Sequence, residues 1–406
     1  MNDKRSSEPV AQRQPAGSPA ERRSAIRFIV FLGVVSLFAD MTYEGARSIL
    51  GPFLKELGAG AAAVGIIAGV GEMLAASLRY FSGKVADRSR AYWTIASLGY
   101  GLNVLVVPAL AFTGNWMVAA ALIAAERTGK AVRGPARDVL LSEATDVVGH
   151  GWGFGLHAAF DQAGAVIGPL IVAAVVAQTH HFGPAFLRLG IPAVLALVAL
   201  AAARTVRHVP TTPPPAVLQH ELPRVFWMWV AAAGLLACGF IDFPLLAFHF
   251  QSTGVVTEAN IPLLYAGAMA VNGLVALGFG PLFDRLGVVA LGCGIVVSLL
   301  ALPLGFFGGA TGAVLAVGCW AFGIGIQDAS LRSGIAQVVS MHKRGSAFGT
   351  FNAVYGVMWF LGSATMGLLY DRSVTALVVF GVVAQLAAAV LFVSLKRPLA
   401  AARAAA

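Results

Sequence analysis

Charge is what this chain has little of. Asp, Glu, Lys and Arg make up only 12% of its 406 residues, where a soluble domain carries about 25%. So little charge cannot clothe a water-facing surface, which excludes a soluble globular domain as the main body. Cysteine is scarce too: Cys238, Cys293 and Cys319 fall inside apolar stretches and are odd in number, which argues against a disulfide framework and suits small core residues. Nor does the sequence offer a nucleophile with a matched base or a cofactor-binding loop. An enzyme and a bound cofactor are therefore not expected.

What is abundant is apolar side chain. The sequence is 58% hydrophobic, with a mean hydropathy of +0.79. Roughly 20 apolar residues suffice for one helix to cross a bilayer. Apolar runs fall at about 28–54, 62–83, 91–113, 115–136, 153–178 and 184–203, then at about 225–252, 259–281, 287–308, 312–337, 347–368 and 374–395. They predict an all-α, multi-pass membrane protein of twelve transmembrane helices set in a lipid bilayer. The polar, Pro- and Ser-rich residues 1–26 are expected to be a disordered tail and not a cleaved leader, so the first apolar run stays as a membrane anchor.

The net charge of +9 points to topology and not to nucleic acid. Basic residues gather before residue 28, around Lys84 to Arg90, at Arg133 and Arg137, over Arg204 to Arg224, and at Lys343, Arg344, Lys396 and Arg397, whereas the alternate loops hold only Lys55 and Arg372. This positive-inside pattern predicts both termini on the cytoplasmic side of the inner cell membrane. Arg204 to Arg224 contains Pro210 and Pro213-Pro214-Pro215 and predicts a cytoplasmic linker over 204–224. It would join six-helix bundles over 27–203 and 225–395, with a short tail over 396–406.

The two sixes repeat. Gly83-Lys84-Val85-Ala86-Asp87-Arg88 after the second run returns as Gly280-Pro281-Leu282-Phe283-Asp284-Arg285 after the eighth. Phe154-Gly155 returns as Phe348-Gly349, and Asp40 has its counterpart in Asp242. All three recur about 200 residues later, the mark of a duplicated unit and of two pseudo-symmetric bundles.

Charge within the runs is not spread evenly. The third, ninth and twelfth carry none and the sixth only Arg188, while the first, fourth, seventh and tenth carry Asp40, Glu44, Arg47, Glu126, Arg127, Lys130, Asp242, His249, Asp328 and Arg332. Ionisable groups in a bilayer face a cavity or a partner. The charged helices are thus expected around one polar chamber and the uncharged ones against lipid.

Gly-x-x-x-Asp-Arg, present twice, resembles the signature loop of the major facilitator superfamily. The resemblance spans about 27–395 and implies a secondary transporter working by alternating access, as a monomer, on a small-molecule substrate. It departs from the family where glycine usually follows Asp-Arg-x: Arg90 stands there in the first copy, Gly287 in the second. Gly155, Gly164, Gly168 and Pro169 are similar to the motif of proton-driven antiporters, with Val172-Ala173 in place of its closing glycine pair. That favours proton-coupled export of a small organic solute; close helix packing by small residues is the plainer reading. Import of an anionic metabolite with protons is the alternative, supported by Arg47, Arg127, Lys130 and Arg332, and a non-transporting sensor stands last.

Asp40, Glu44 and Arg47 share one helix face at i, i+4 and i+7. Asp40 or Glu44 is the expected proton site, with Arg127 as counter-charge on the family's precedent; a fixed ion pair that only braces the bundle is the other reading. Glu126, Lys130, Arg133 and Arg137 form a second stripe. There Lys130 either meets substrate or pairs with Glu126, and the two arginines are expected to anchor at the surface. Asp242 with His249, Asp328 with Arg332, and His157 with Asp161 are further same-face pairs, none with a spacing that demands a metal. The resemblance also implies that Asp87 latches onto backbone amides around Gly345 to Phe348, and Asp284 onto those around Gly151 to Gly153.

Overall fold

The computed structural model describes residues 18–206, 222–339, 344–396 and 398, leaving out the side chains of 284, 337, 338 and 344–346. Most of the two tails, most of the 204–224 linker and the Asp284 carboxylate fall outside the described residues.

The described residues contain no strand. The first series of helices is α1 (Pro19–Ser48), α2 (Leu50–Glu56), α3 (Ala61–Ser89), α4 (Tyr92–Ala109), α5 (Trp116–Val148), α6 (His150–Thr179) and α7 (Gly183–Val206). The second is α8 (Arg224–Gly239), α9 (Phe243–Thr253), α10 (Asn260–Leu286), α11 (Val288–Leu299), α12 (Ala301–Phe307), α13 (Gly309–Val338), α14 (Arg344–Tyr370) and α15 (Val374–Ser394). Each series opens on a broken rod, interrupted at Ile49 between α1 and α2, and just before Pro244 between α8 and α9. Local chemistry sets the starts: Ser18 and Glu21 form a reciprocal cap on α1, Asn115 accepts from the Met117 amide, and Ser373 accepts from the Ala376 amide.

Eleven helical stretches among the described residues are long and apolar enough to cross a membrane. The expected count was twelve. The helix outside the eleven is α5, whose 33 residues span about 50 Å but carry too many charges to qualify by composition. It nevertheless runs antiparallel along α4: Gly99 backs onto Arg133, and Gly129 onto Asn103. Glycine is needed at both, since a Cβ would strike the facing backbone. Gly164 and Gly168 do the same for α6, admitting the carbonyls of Leu37 and Met41 on α1, whereas Gly155 faces open space.

The helix order puts the turns at 89–92, 149 and 286–288 at the end that also holds Ser18 and Lys396, here the terminal face; those at 57–60, 113–115, 254–259 and 371–373 lie at the distal face. The buried apolar residues form three clusters. One draws only on the first series (Phe28, Leu32, Tyr92, Trp93, Leu140, Leu200) and one only on the second (Phe226, Trp229, Phe283, Leu291, Phe392), both from the terminal-face halves of their helices. The third joins both series near the distal face, through Phe53, Val64, Phe186, Phe243, Tyr265 and Trp320. The apolar cores merge at the distal face and separate towards the terminal face, where α3 and α14 still meet at Tyr80 and Gly349. Leu98 and Leu105 on α4, Ile191 and Val198 on α7, Val296 on α11, and Val383 and Val390 on α15 point outward. These are the helices expected to meet lipid.

Candidate functional site

Between the two series lies a cavity of about 410 Å³. Its charged lining is balanced: Asp40, Glu44, Glu72, Asp161 and Asp328 against Arg47, Arg79, Arg127, Lys130 and Arg332. Tyr43, Tyr265, Trp320, Tyr355 and Trp359 supply aromatic faces, and Gln162, Asn272, Gln327 and Asn352 supply amides.

The acid–base stripe of α1 is paired in layers. Nearest the terminal face, Asp40 accepts from Nη2 of Arg133 at 3.1 Å. Arg133 is 2% exposed and lies over the Tyr100 ring, so it does not anchor at the surface as the sequence suggested. Arg137 is also drawn inward, 2.8 Å from Asp138 and 3.7 Å from Asp161. One turn along α1, Glu44 accepts from the Tyr265 hydroxyl of α10 at 2.6 Å and lies 3.9 Å from Nζ of Lys130. Lys130 in turn sits over the Tyr43 ring. Nearest the distal face, Arg47 holds Glu72 at 2.9 Å and Asp242 at 3.2 Å. The Asp242 carboxylate also accepts from Nε1 of Trp359. The Tyr43 hydroxyl accepts from both Arg47 and Arg127.

Arg127 was expected to oppose Asp40 or Glu44; it opposes Glu72 at 3.3 Å and Glu126 at 3.5 Å. Geometry explains the difference. Arg127 lies six residues, about 9 Å, nearer the distal face than Arg133, at the level of Tyr43 and Arg47 instead of Asp40, and there it reaches Glu72 of α3. Glu126 leaves the cavity and takes the side-chain amide of Asn103 on α4. It does not pair with Lys130.

Asp242, His249 and His157 are placed apart from the cavity lining, whereas Asp328 is part of it. Asp242 sits buried in the break between α8 and α9, above the cavity. His249 lies near the distal face, 3.0 Å from the Tyr370 hydroxyl and beside the Phe306 ring. His157 is buried, with Nε2 3.1 Å from Ser36 and 3.6 Å from Asp161. Asp328 accepts from Asn272 at 3.3 Å. At the terminal face Asp87 is exposed with the Tyr92 hydroxyl 3.4 Å away, Arg88 and Arg285 are exposed, and neither Gly83 nor Gly280 is forced by packing.

Sequence reasoning missed Glu72 and Arg79. Both lie on the second run, which a count restricted to every third helix passes over. Their i, i+7 spacing, the same as that of Asp40 and Arg47, was the available signal.

Bonds between the series cluster at and above the cavity. Besides Glu44–Tyr265 and Arg47–Asp242, Gln162 of α6 donates to the Met269 carbonyl of α10, and Asp371 accepts from the Ala62 amide at 3.2 Å. Gly51 of α2 lies so close to the Pro244 carbonyl that any side chain there would strike it.

Comparison with known proteins gives a consistent answer. The family described as the Major Facilitator Superfamily matches residues 31–363. An uncharacterized protein of Mycobacterium tuberculosis is 42% identical over 392 residues, 94% of this chain and 96% of that protein. An uncharacterized MFS-type transporter of Methanocaldococcus jannaschii is 22% identical, over 90% of this chain and 94% of that protein. Among solved structures, a POT family transporter in complex with 5-aminolevulinic acid superposes with a TM-score of 0.72 at 12% identity, covering 92% of this chain and 96% of that one. The nucleoside transporter NupG gives 0.65 at 15% identity, covering 92% and 98%. At such identities the two structures share a fold with this chain.

Proposed function

The chain belongs to the Major Facilitator Superfamily and is a multi-pass membrane transporter, and from that premise we propose that it couples proton movement to export of a small organic solute by alternating access. The terminal face is read as cytoplasmic. Lys84, Arg88, Arg90, Arg204, Arg224 and Arg285 all border it, against Lys55, Arg188 and Arg372 towards the distal face. This state, parted between its cores at the terminal face, is then inward-facing. We take α5 as the twelfth span, its charges turned to the cavity and to neighbouring helices, and the two series as two six-helix bundles.

The observation that carries the coupling is Glu44. Its carboxylate is bonded to Tyr265 of the other series and faces Lys130. A proton arriving on Glu44 removes the negative charge that Lys130 balances, and with it the strength of the Tyr265 bond. That loosens the distal closure in the step where a proton from outside would be exchanged for solute. Asp40, paired with Arg133 deeper towards the cytoplasm, is the second proton site in this reading. A proton released inward from Asp40 restores the Arg133 pair. Arg127 serves the scheme indirectly, holding Glu72 and Tyr43 in place beside Arg47.

The test is made with purified protein in proteoliposomes under an imposed pH gradient. Glu44→Gln and Asp40→Asn should each abolish gradient-driven accumulation while leaving solute exchange across the membrane. Full gradient-driven transport in both variants would falsify the coupling. Import of an anion with protons is the second reading, favoured by the cations of the cavity. The direction of proton flux on solute addition separates the two.

A further inference from the structure

Internal pairing leaves a remainder in the cavity. Asp40 is matched by Arg133, Glu44 by Lys130, and Arg47 and Arg127 share Glu72. Among the described residues, Arg79 of α3 and Arg332 of α13 line the same cavity with no carboxylate within 4.0 Å. They come from opposite series and face the same cavity. Nε of Arg79 is buried with no hydrogen-bond partner, and its guanidinium lies across Gly134 of α5, where a Cβ would stand 3.5 Å from that nitrogen. Arg332 is exposed to the parted chamber. Asp328, one turn before it, has its carboxylate engaged by Asn272.

Two guanidinium groups lining one cavity with no carboxylate in contact are costly. They are also matched to one ligand chemistry, since each presents planar paired donors to carboxylate or phosphate oxygens. We infer that Arg79 and Arg332 form an anion subsite that grips a carboxylate or phosphate group of the transported solute. The inference rests on the reading of this cavity as the transport site and adds the substrate class, a small organic anion, exported or imported. It also supplies a reason for closure. Both arginines lie nearer the terminal face than Glu44, at the level where the apolar cores have separated. An anion bridging them ties α3 to α13 at that level, where α3 already meets α14 at Tyr80 and Gly349, and so favours the state closed to that side.

Inorganic phosphate is the probe, titrated calorimetrically into the purified full chain at constant ionic strength, with no pH gradient present. The expected result is saturable millimolar binding to the wild type. Arg79→Gln and Arg332→Gln should each weaken it at least tenfold, and the double variant by less than the product of the two, because both groups hold one anion. Arg188→Gln, outside the cavity, should bind as the wild type does. Arg332→Lys, which keeps charge but loses the planar fork, should retain part of the affinity, separating loss of the subsite from loss of fold. Absence of phosphate binding in the wild type, or binding untouched by both Gln substitutions, overturns the subsite. Because the titration needs no proton gradient, it can fail while coupled transport persists, or succeed where coupling fails.

Discussion

Arg133 of α5 is buried against Asp40 of α1 with 3.1 Å between guanidinium and carboxylate, and the Tyr100 ring lies beneath it. An arginine from the charge stripe that seemed destined for the membrane surface instead closes an ion pair inside the first series. Breaking a buried pair by removing one partner costs about 3–5 kcal/mol. Arg133→Gln should therefore lower stability by that order, leaving Asp40 unmatched, and Asp40→Asn combined with Arg133→Gln should recover part of the loss. Chemical unfolding of the purified protein in detergent measures both. Additive losses would show that the pair is not coupled.

The distal closure depends on Gly51 against the Pro244 carbonyl. Gly51→Val should hold that seam apart and enrich the distal-open state. Its readout is the reactivity of Lys55→Cys, in a background without native cysteines, towards a membrane-impermeant thiol reagent. Labelling should rise several-fold over the same site with Gly51 intact.

The Tyr43 hydroxyl accepts from both Arg47 and Arg127, which also share Oε1 of Glu72. Tyr43→Phe keeps the ring under Lys130 but leaves two cations facing each other with Glu72 alone between them. Loss of a hydrogen bond to a charged group costs about 1.5–3 kcal/mol. A drop in transport rate of at least tenfold is expected, with the protein still folded by circular dichroism.

Arg90 ends α3 at φ 53°, and its counterpart Gly287 ends α10 at φ 58°. The chain thus takes a positive φ at this point in both copies, left-handed at Arg90, and only the second has the residue suited to it. Arg90→Gly should stabilise the protein by about 0.5–1 kcal/mol, the relief of left-handed strain less the added freedom of the unfolded chain. A thermal unfolding midpoint unchanged or lowered would contradict this.

Asp87 is exposed, beside Tyr92, in this terminal-parted state. If it latches onto α14 only when that face closes, Asp87→Asn should leave the stability of the parted state unchanged and slow closure. Single-molecule distance measurements between the α3 and α14 ends should then show a larger parted fraction. An unchanged distribution removes the latch.

Much of this was written in the chain. Low charge and repeated apolar runs dictate helices in a bilayer, because hydrocarbon allows no unpaired backbone. The recurrence of the Gly-x-x-x-Asp-Arg loop marks the duplication, and the face shared by Asp40, Glu44 and Arg47 follows from helical periodicity alone. That these three line one chamber with Arg127, Lys130, Asp328 and Arg332 was foreseeable, since charge in a membrane seeks company.

Which charge meets which was not. Periodicity fixes the face of a residue on its own helix but not the rotation or depth of the helix beside it. A difference of six residues along α5, about 9 Å, decides whether Asp40 meets Arg127 or Arg133. The same limit hid Glu72 and Arg79, kept His249 on the list of cavity residues, and left open which face of the molecule stands apart. Composition and spacing determined the elements, their membrane setting and the two-fold repeat. Only the packing of one helix on another chose the partners, because a salt bridge works over a few ångströms and the sequence carries no measure of distance between helices.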